Sequence, residues 1–186
     1  MIDDAHAIAD TRRWLERAVI GLNLCPFAKA VHAKGQIHWA VYLSAGEGSL
    51  LDALLAEAAA LVAHVPAVRD TTLLIAPNTL PDFLDFNDFT ARAERRLARA
   101  GYDGVLQLAT FHPHFQFGGT EPDDIGNATN RAPYPTLHLL REDSVSRAVD
   151  AFPEADEIFE RNIETLEKLG PNGWAALDVG PGAATP

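Results

Sequence analysis

Two hydrophobic rhythms alternate along this chain. Between Asp3 and Leu22 the apolar residues Ile8, Leu15, Val19 and Leu22 recur at helical spacing, and Asp3 and Asp4 suit the positive end of such a helix. Pro26 to Lys34 reads as a short second helix, with proline just inside its start and Gly35 just past its end. The run QIHWAVYL, Gln36 to Leu43, predicts a strand. Ser49 to His64 returns to the helical period, with Leu50, Leu54, Leu61 and Val62 on one broad face. TTLLIA, Thr71 to Ala76, is the second strand. Thr79 and Asp82 resemble a capping pair for a helix running to Ala100 and ended by Gly101, its buried side carrying Phe86, Phe89, Ala93 and Leu97. Val105–Phe111 and Thr136–Leu140 supply a third and a fourth strand. Helices near Ser144–Ala151 and Glu154–Leu169 follow.

Strands that alternate with helices predict an α/β fold: one domain over residues 1–170, with a mostly parallel sheet of three to four strands flanked by helices. Residues 171–186 read as a C-terminal tail, and its last piece, GPGAATP from Gly180, has the composition of a disordered end. In parallel sheets, ligands bind beyond the carboxyl ends of the strands. The segment Phe115–Pro135, which leaves the third strand there, shows little regular pattern, and long loops in small domains are often functional.

Composition narrows the function classes. A chain of 186 residues is long enough for one full hydrophobic core. A net charge of −11 without any Lys/Arg run speaks against a nucleic-acid partner. No apolar stretch reaches the roughly 18–20 residues that span a bilayer. The opening MIDDAHAIADTRR lacks the basic-then-apolar order of a signal peptide, and a single cysteine forms no intrachain disulfide, so a cytoplasmic location is expected. The expected partner is a small-molecule ligand, with no nucleic acid and no membrane; the oligomeric state stays open.

Candidate chemistry concentrates in three segments. In FHPHFQFGG, Phe111–Gly119, strand alternation would point His112, His114 and Gln116 one way and the phenylalanines the other. Two imidazoles so placed could share a divalent transition metal, with a third ligand from His138, Glu142, Cys25 or the acidic group Glu121, Asp123 and Asp124. They could equally move protons, or hold the loop down by hydrogen bonds. In LNLCPFA, Cys25 would cap the short helix, where the positive end lowers a thiol's pKa; an inert core thiol is the alternative. In NRAPYPTLHLLRE, Arg131 and Arg141 offer planar forks of donors for a carboxylate or phosphate, and Pro133 and Pro135 fix where Arg131 and Tyr134 point. The competing role for these arginines is an internal pair with the Glu121–Asp124 cluster. His138, flanked by Leu137 and Leu139, reads as a satisfied core histidine. No Walker, nucleophile-elbow or dinucleotide-binding sequence is present.

Together LNLCPFA, FHPHFQFGGT and NRAPYPTLHLLRED resemble the signature of a bacterial family of small cytosolic proteins catalogued as domain-of-unknown-function family 1415. The resemblance runs from the first helix to about Gly170. It implies one intact domain and assigns no catalytic residue.

The expectation is therefore an enzyme or enzyme-like protein acting on a small polar or anionic molecule. His112 and His114 would be metal-dependent or acid–base groups, Cys25 a nucleophile, and Arg131, Tyr134 and Arg141 substrate-binding residues. A metal would be held by His112, His114 and His138. The competing class is a non-catalytic small-molecule-binding or interaction domain using the 115–135 loop.

Overall fold

The computed structural model describes residues 2–151 and 157–182. Helix α1, Asp4–Trp14, starts where Asp3 accepts the His6 backbone N–H, and continues through a π-helical turn, Leu15–Ile20. After it come α2 (Ala28–Ala33), β1 (Ile37–Val41), α3 (Glu47–Ala63), β2 (Thr71–Ile75) and α4 (Phe83–Leu97). Then follow β3 (Leu106–Phe111), β4 (Thr136–Arg141), α5 (Glu142–Asp150) and α6 (Ile158–Ala176). Asp82 caps α4 by accepting the N–H groups of Leu84 and Asp85, whereas Thr79 turns away and donates to the Ser44 carbonyl. Gly101, at φ 90°, takes the left-handed conformation that ends the α4 extension.

The four strands form one sheet in the order β1-β2-β4-β3. The expected mostly parallel sheet is corrected: β1 and β2 pair in parallel, but β4 runs antiparallel to both β2 and β3. The reason lies in the connections. Parallel neighbours need a long crossover, which α3 provides between β1 and β2. Between β3 and β4 the chain offers only a loop with one 3₁₀ segment, Ile125–Asn130. Such a loop returns the chain beside its own strand in the opposite direction.

Each face of the sheet has its own helical cover. Leu74, Leu137 and Leu139 meet Leu50, Leu54 and Leu61 of α3 and Phe86, Phe89 and Ala93 of α4 in the larger core. Burying each of these leucine and phenylalanine side chains contributes roughly 1.5–3 kcal/mol. The opposite face carries Ile37, Thr71, Leu73, Ala109, Phe111, His138 and Leu140, whose shared side follows from the register Ile37↔Thr71, Leu73↔His138, Thr71↔Leu140 and Ala109↔His138. Trp14, Leu15, Ala18 and Val19 of the first helix pack on this side with Cys25 and Ala28.

The stretch read as a tail is helical to Ala176, with a break at Gly170, φ 68°. Arg13 donates to the carbonyls of Asp178 and Gly180, and Arg17 to that of Leu177, which pins residues 177–182 on α1. Residues 183–186, and the start of the helix expected from Glu154, lie outside the described residues. No helix among the described residues is long and apolar enough to cross a membrane.

Candidate functional site: a cavity on one face of the sheet

Between the sheet and the layer formed by the first helix, residues 25–31 and α5 lies a cavity of about 490 Å³. Its walls are mostly hydrocarbon: Trp14, Leu15 and Val19 from the first helix, Phe27 and Val31 from the short-helix region, and Val145 and Ala148 from α5. Trp14 and Phe111 meet edge to face with ring centroids 5.0 Å apart, a favourable aromatic geometry. Polar groups are few. Thr71 and His138 come from the sheet, Cys25 from the turn before α2, Asp70 from the position before β2, Arg141 from the end of β4, and Ser144 from α5.

His138 carries the most informative chemistry. Its Nε2 lies 2.5 Å from Thr71 Oγ1, which is itself 2.6 Å from the Leu139 carbonyl. A threonine hydroxyl has one hydrogen, and a carbonyl can only accept. Thr71 therefore donates to Leu139, and His138 Nε2–H donates to Thr71. This fixes the neutral tautomer, with the Nδ1 lone pair as an acceptor that has no protein partner among the described residues. Burial lowers the His138 pKa to about 4, because the charged imidazolium would lose its hydration.

The expected histidine site takes a different form. β3 ends at Phe111, so the alternation that would align His112 with His114 does not continue, and the two lie in a turn in which Phe115 N–H donates to the His112 carbonyl. His112 is fully buried against Phe83 and Phe86 of α4, with ring centroids 5.5 and 5.0 Å away. Both its nitrogens are engaged: Nε2 with the Leu80 carbonyl at 3.1 Å, and Nδ1 with the His114 backbone N–H, also at 3.1 Å. Burial lowers its pKa further than that carbonyl restores it. The His114 ring is exposed. His112 thus sits on the α4 side of the sheet and His138 on the other. The His112 and His114 rings lie with centroids 5.9 Å apart, and the structure does not bring His138 of the expected metal set to them, because it faces the other side of the sheet. Among the described residues no three His, Cys, Asp or Glu side chains gather as a metal site.

The other candidates divide. Cys25 does reach the cavity, but the helix cap falls on Phe27 instead. Burial raises the thiol pKa, and the N–H groups of Phe27 and Ala28 oppose it without reversing it, so the lowered pKa expected of a capping cysteine is corrected. Arg131 donates to the carbonyls of Phe115 at 3.2 Å and Pro122 at 2.6 Å, closing the loop on its own backbone. Tyr134 donates to Asp10 at 2.6 Å inside the protein. Arg141 touches the cavity, yet one nitrogen of its fork is shared among the carbonyls of Leu61, His64 and Arg69. Arg131 and Tyr134 are thus occupied inside the protein, while Arg141 Nε has no hydrogen-bond partner among the described residues and stands 3.9 Å from the Asp70 carboxylate.

A family model described as a protein of unknown function, DUF1415, matches residues 6–176. The chain belongs to the DUF1415 family. Searches of the curated proteins and of the solved structures found no match.

Two residues of this DUF1415 chain that sequence reasoning missed brace segments outside the cavity lining. Asn127, fully buried, accepts from Phe117 N–H and Thr120 Oγ1, each at 2.9 Å, and donates to the Glu121 carbonyl at 2.8 Å, which makes the long loop a cross-braced unit. Asp10, also buried, binds Tyr134, Arg13 at 2.7 Å and Gly182 N–H at 2.9 Å. Burial alone would raise its pKa, but these donors together lower it. A polar residue inside an otherwise apolar helical stripe was the available signal for Asp10. For Thr71 the sequence held none, since threonine is ordinary in a strand.

Proposed function

We propose that this chain is a small-molecule-binding protein whose ligand is compact and largely apolar and occupies the cavity under α1, α2 and α5. The observation that carries this reading is the cavity itself: about 490 Å³, walled by hydrocarbon, with a neutral imidazole on its sheet side. Ligand sites of this size typically combine an apolar lining with a few fixed polar groups. A polar or anionic substrate has less behind it, because Arg131 is committed to backbone carbonyls and the Asp70 carboxylate stands beside Arg141 at the cavity. A nucleophilic role for Cys25 has less behind it than binding, because its thiol is held in the protonated form.

Filling the cavity tests the proposal. Ala109 lies opposite His138 in the sheet and lines the cavity, so Ala109→Phe should occupy the space a ligand needs. Quenching of Trp14 fluorescence by a panel of small apolar molecules should saturate in the wild type and vanish in Ala109→Phe. Equal binding by both proteins would refute the proposal.

A further inference from the structure

The hydrogen-bond arrangement around His138 restricts the ligand further, on the assumption that the cavity is a ligand site. We infer that the ligand carries a neutral hydroxyl on an apolar body and donates it to His138 Nδ1, with Thr71 as the positioning residue that fixes which ring nitrogen accepts.

Three observations support this. Thr71 passes its only hydrogen to the Leu139 carbonyl, so Nε2 must carry the imidazole proton. Among the described residues, the only fully buried side-chain nitrogen or oxygen without a partner is Arg141 Nε. His138 Nδ1 has no partner either, so it is reachable, and His138 lines the cavity. A bare lone pair on a mostly hydrocarbon wall selects for a donor. An apolar ligand without one would strip Nδ1 of solvent and give nothing back.

The same geometry argues against charged ligands. A carboxylate would face a lone pair, and the cation that lines the cavity, Arg141, already gives one nitrogen to the Leu61, His64 and Arg69 carbonyls and holds its Nε beside a carboxylate. The Asp70 carboxylate beside the cavity adds repulsion: it accepts from Ser144 Oγ at 2.6 Å and lies 3.9 Å from Arg141 Nε. An ammonium ion could donate to Nδ1, but removing its charge from water costs more than one hydrogen bond returns.

Three probes of nearly equal shape provide the test: 4-butylphenol, 4-butyltoluene and 4-butylbenzoate, titrated into the intact protein. The phenol should bind roughly tenfold tighter than the other two, the margin expected when a buried acceptor is matched and not left unsatisfied. On ¹⁵N-histidine protein, the His138 Nδ1 resonance should move with the phenol and stay in place with the toluene. Thr71→Val should remove the preference for the phenol over the toluene, and the spectra of the wild type give the answer even if that variant folds poorly. Equal affinity for phenol and toluene, or tightest binding of the benzoate, would overturn the donor inference and leave the cavity reading intact. Binding of none of the three would overturn both.

Discussion

His112 and His138 lie on opposite faces of the same sheet. The first is packed against Phe83 and Phe86 of α4, and the second borders the cavity under the first helix. The sheet separates two imidazoles whose partners are equally different: two saturated nitrogens in one case, a single occupied nitrogen in the other. The two should therefore respond differently to mutation.

Replacing His112 with Ala removes two buried hydrogen bonds and leaves a hole between two phenylalanines. A loss of roughly 3 kcal/mol in urea unfolding is expected, with ligand affinity of the surviving folded protein unchanged. His114→Ala should stay within about 0.5 kcal/mol, because its ring is exposed and the variant keeps the backbone N–H that His112 accepts. Comparable costs for the two variants would contradict the assignment.

Acid should weaken the fold through His138. Its folded pKa of about 4 lies below the ordinary 6.5, so between these values the unfolded chain binds more protons than the folded one. Stability is full above pH 6.5 and declines as pH falls toward 4, by about 3 kcal/mol at one pKa unit per 1.36 kcal/mol. The lowered His112 and His38 pKa values slope the same way. Asp10 acts in a lower window: its depressed carboxylate pKa gives stability above the ordinary 3.8 that is lost below it. Urea midpoints taken from pH 7 to 4 should fall in the wild type and fall less in His138→Phe; parallel profiles would count against a buried neutral imidazole.

The Cys25 thiol should react slowly. With its pKa raised above the ordinary 9.0, the alkylation rate with iodoacetamide should keep climbing past pH 9 and show no plateau near neutrality. A saturating apolar ligand should slow it further, since the sulfur shares the cavity wall. A plateau below pH 8 would restore the activated-cysteine reading.

Asp10 and Tyr134 hold the chain ends to the body of the protein. Tyr134→Phe leaves a buried carboxylate one donor short and should cost roughly 1–3 kcal/mol. Asp10→Ala should also release residues 177–182, which hydrogen exchange would report as faster exchange at Gly182, whose N–H Asp10 accepts. Unchanged protection there would show that the arginine contacts suffice.

The periodicity of apolar residues was enough to place the first helix, α3 and α4, whereas α6 runs on to Ala176, past the end read at Leu169. The stripe Phe86, Phe89, Ala93 and Leu97 is buried as read, and the strands at 71–75 and 136–141 fall where their composition put them. Local preference is written residue by residue, so a sequence reports it directly. The direction of β4 was less legible, because it depends on whether a loop or a helix closes the connection.

The sequence by itself determined where most of the helices and strands lie, and that His138 shares a face with Thr136 and Leu140. Tertiary structure alone decided that β4 enters between β2 and β3, that Thr71 meets His138, and that Cys25 lines the same cavity while His112 does not. These pairings join positions up to 113 apart, from Cys25 to His138. Hydrogen bonding and desolvation act through space, so the role of an imidazole is set by neighbours that its own stretch of chain does not contain.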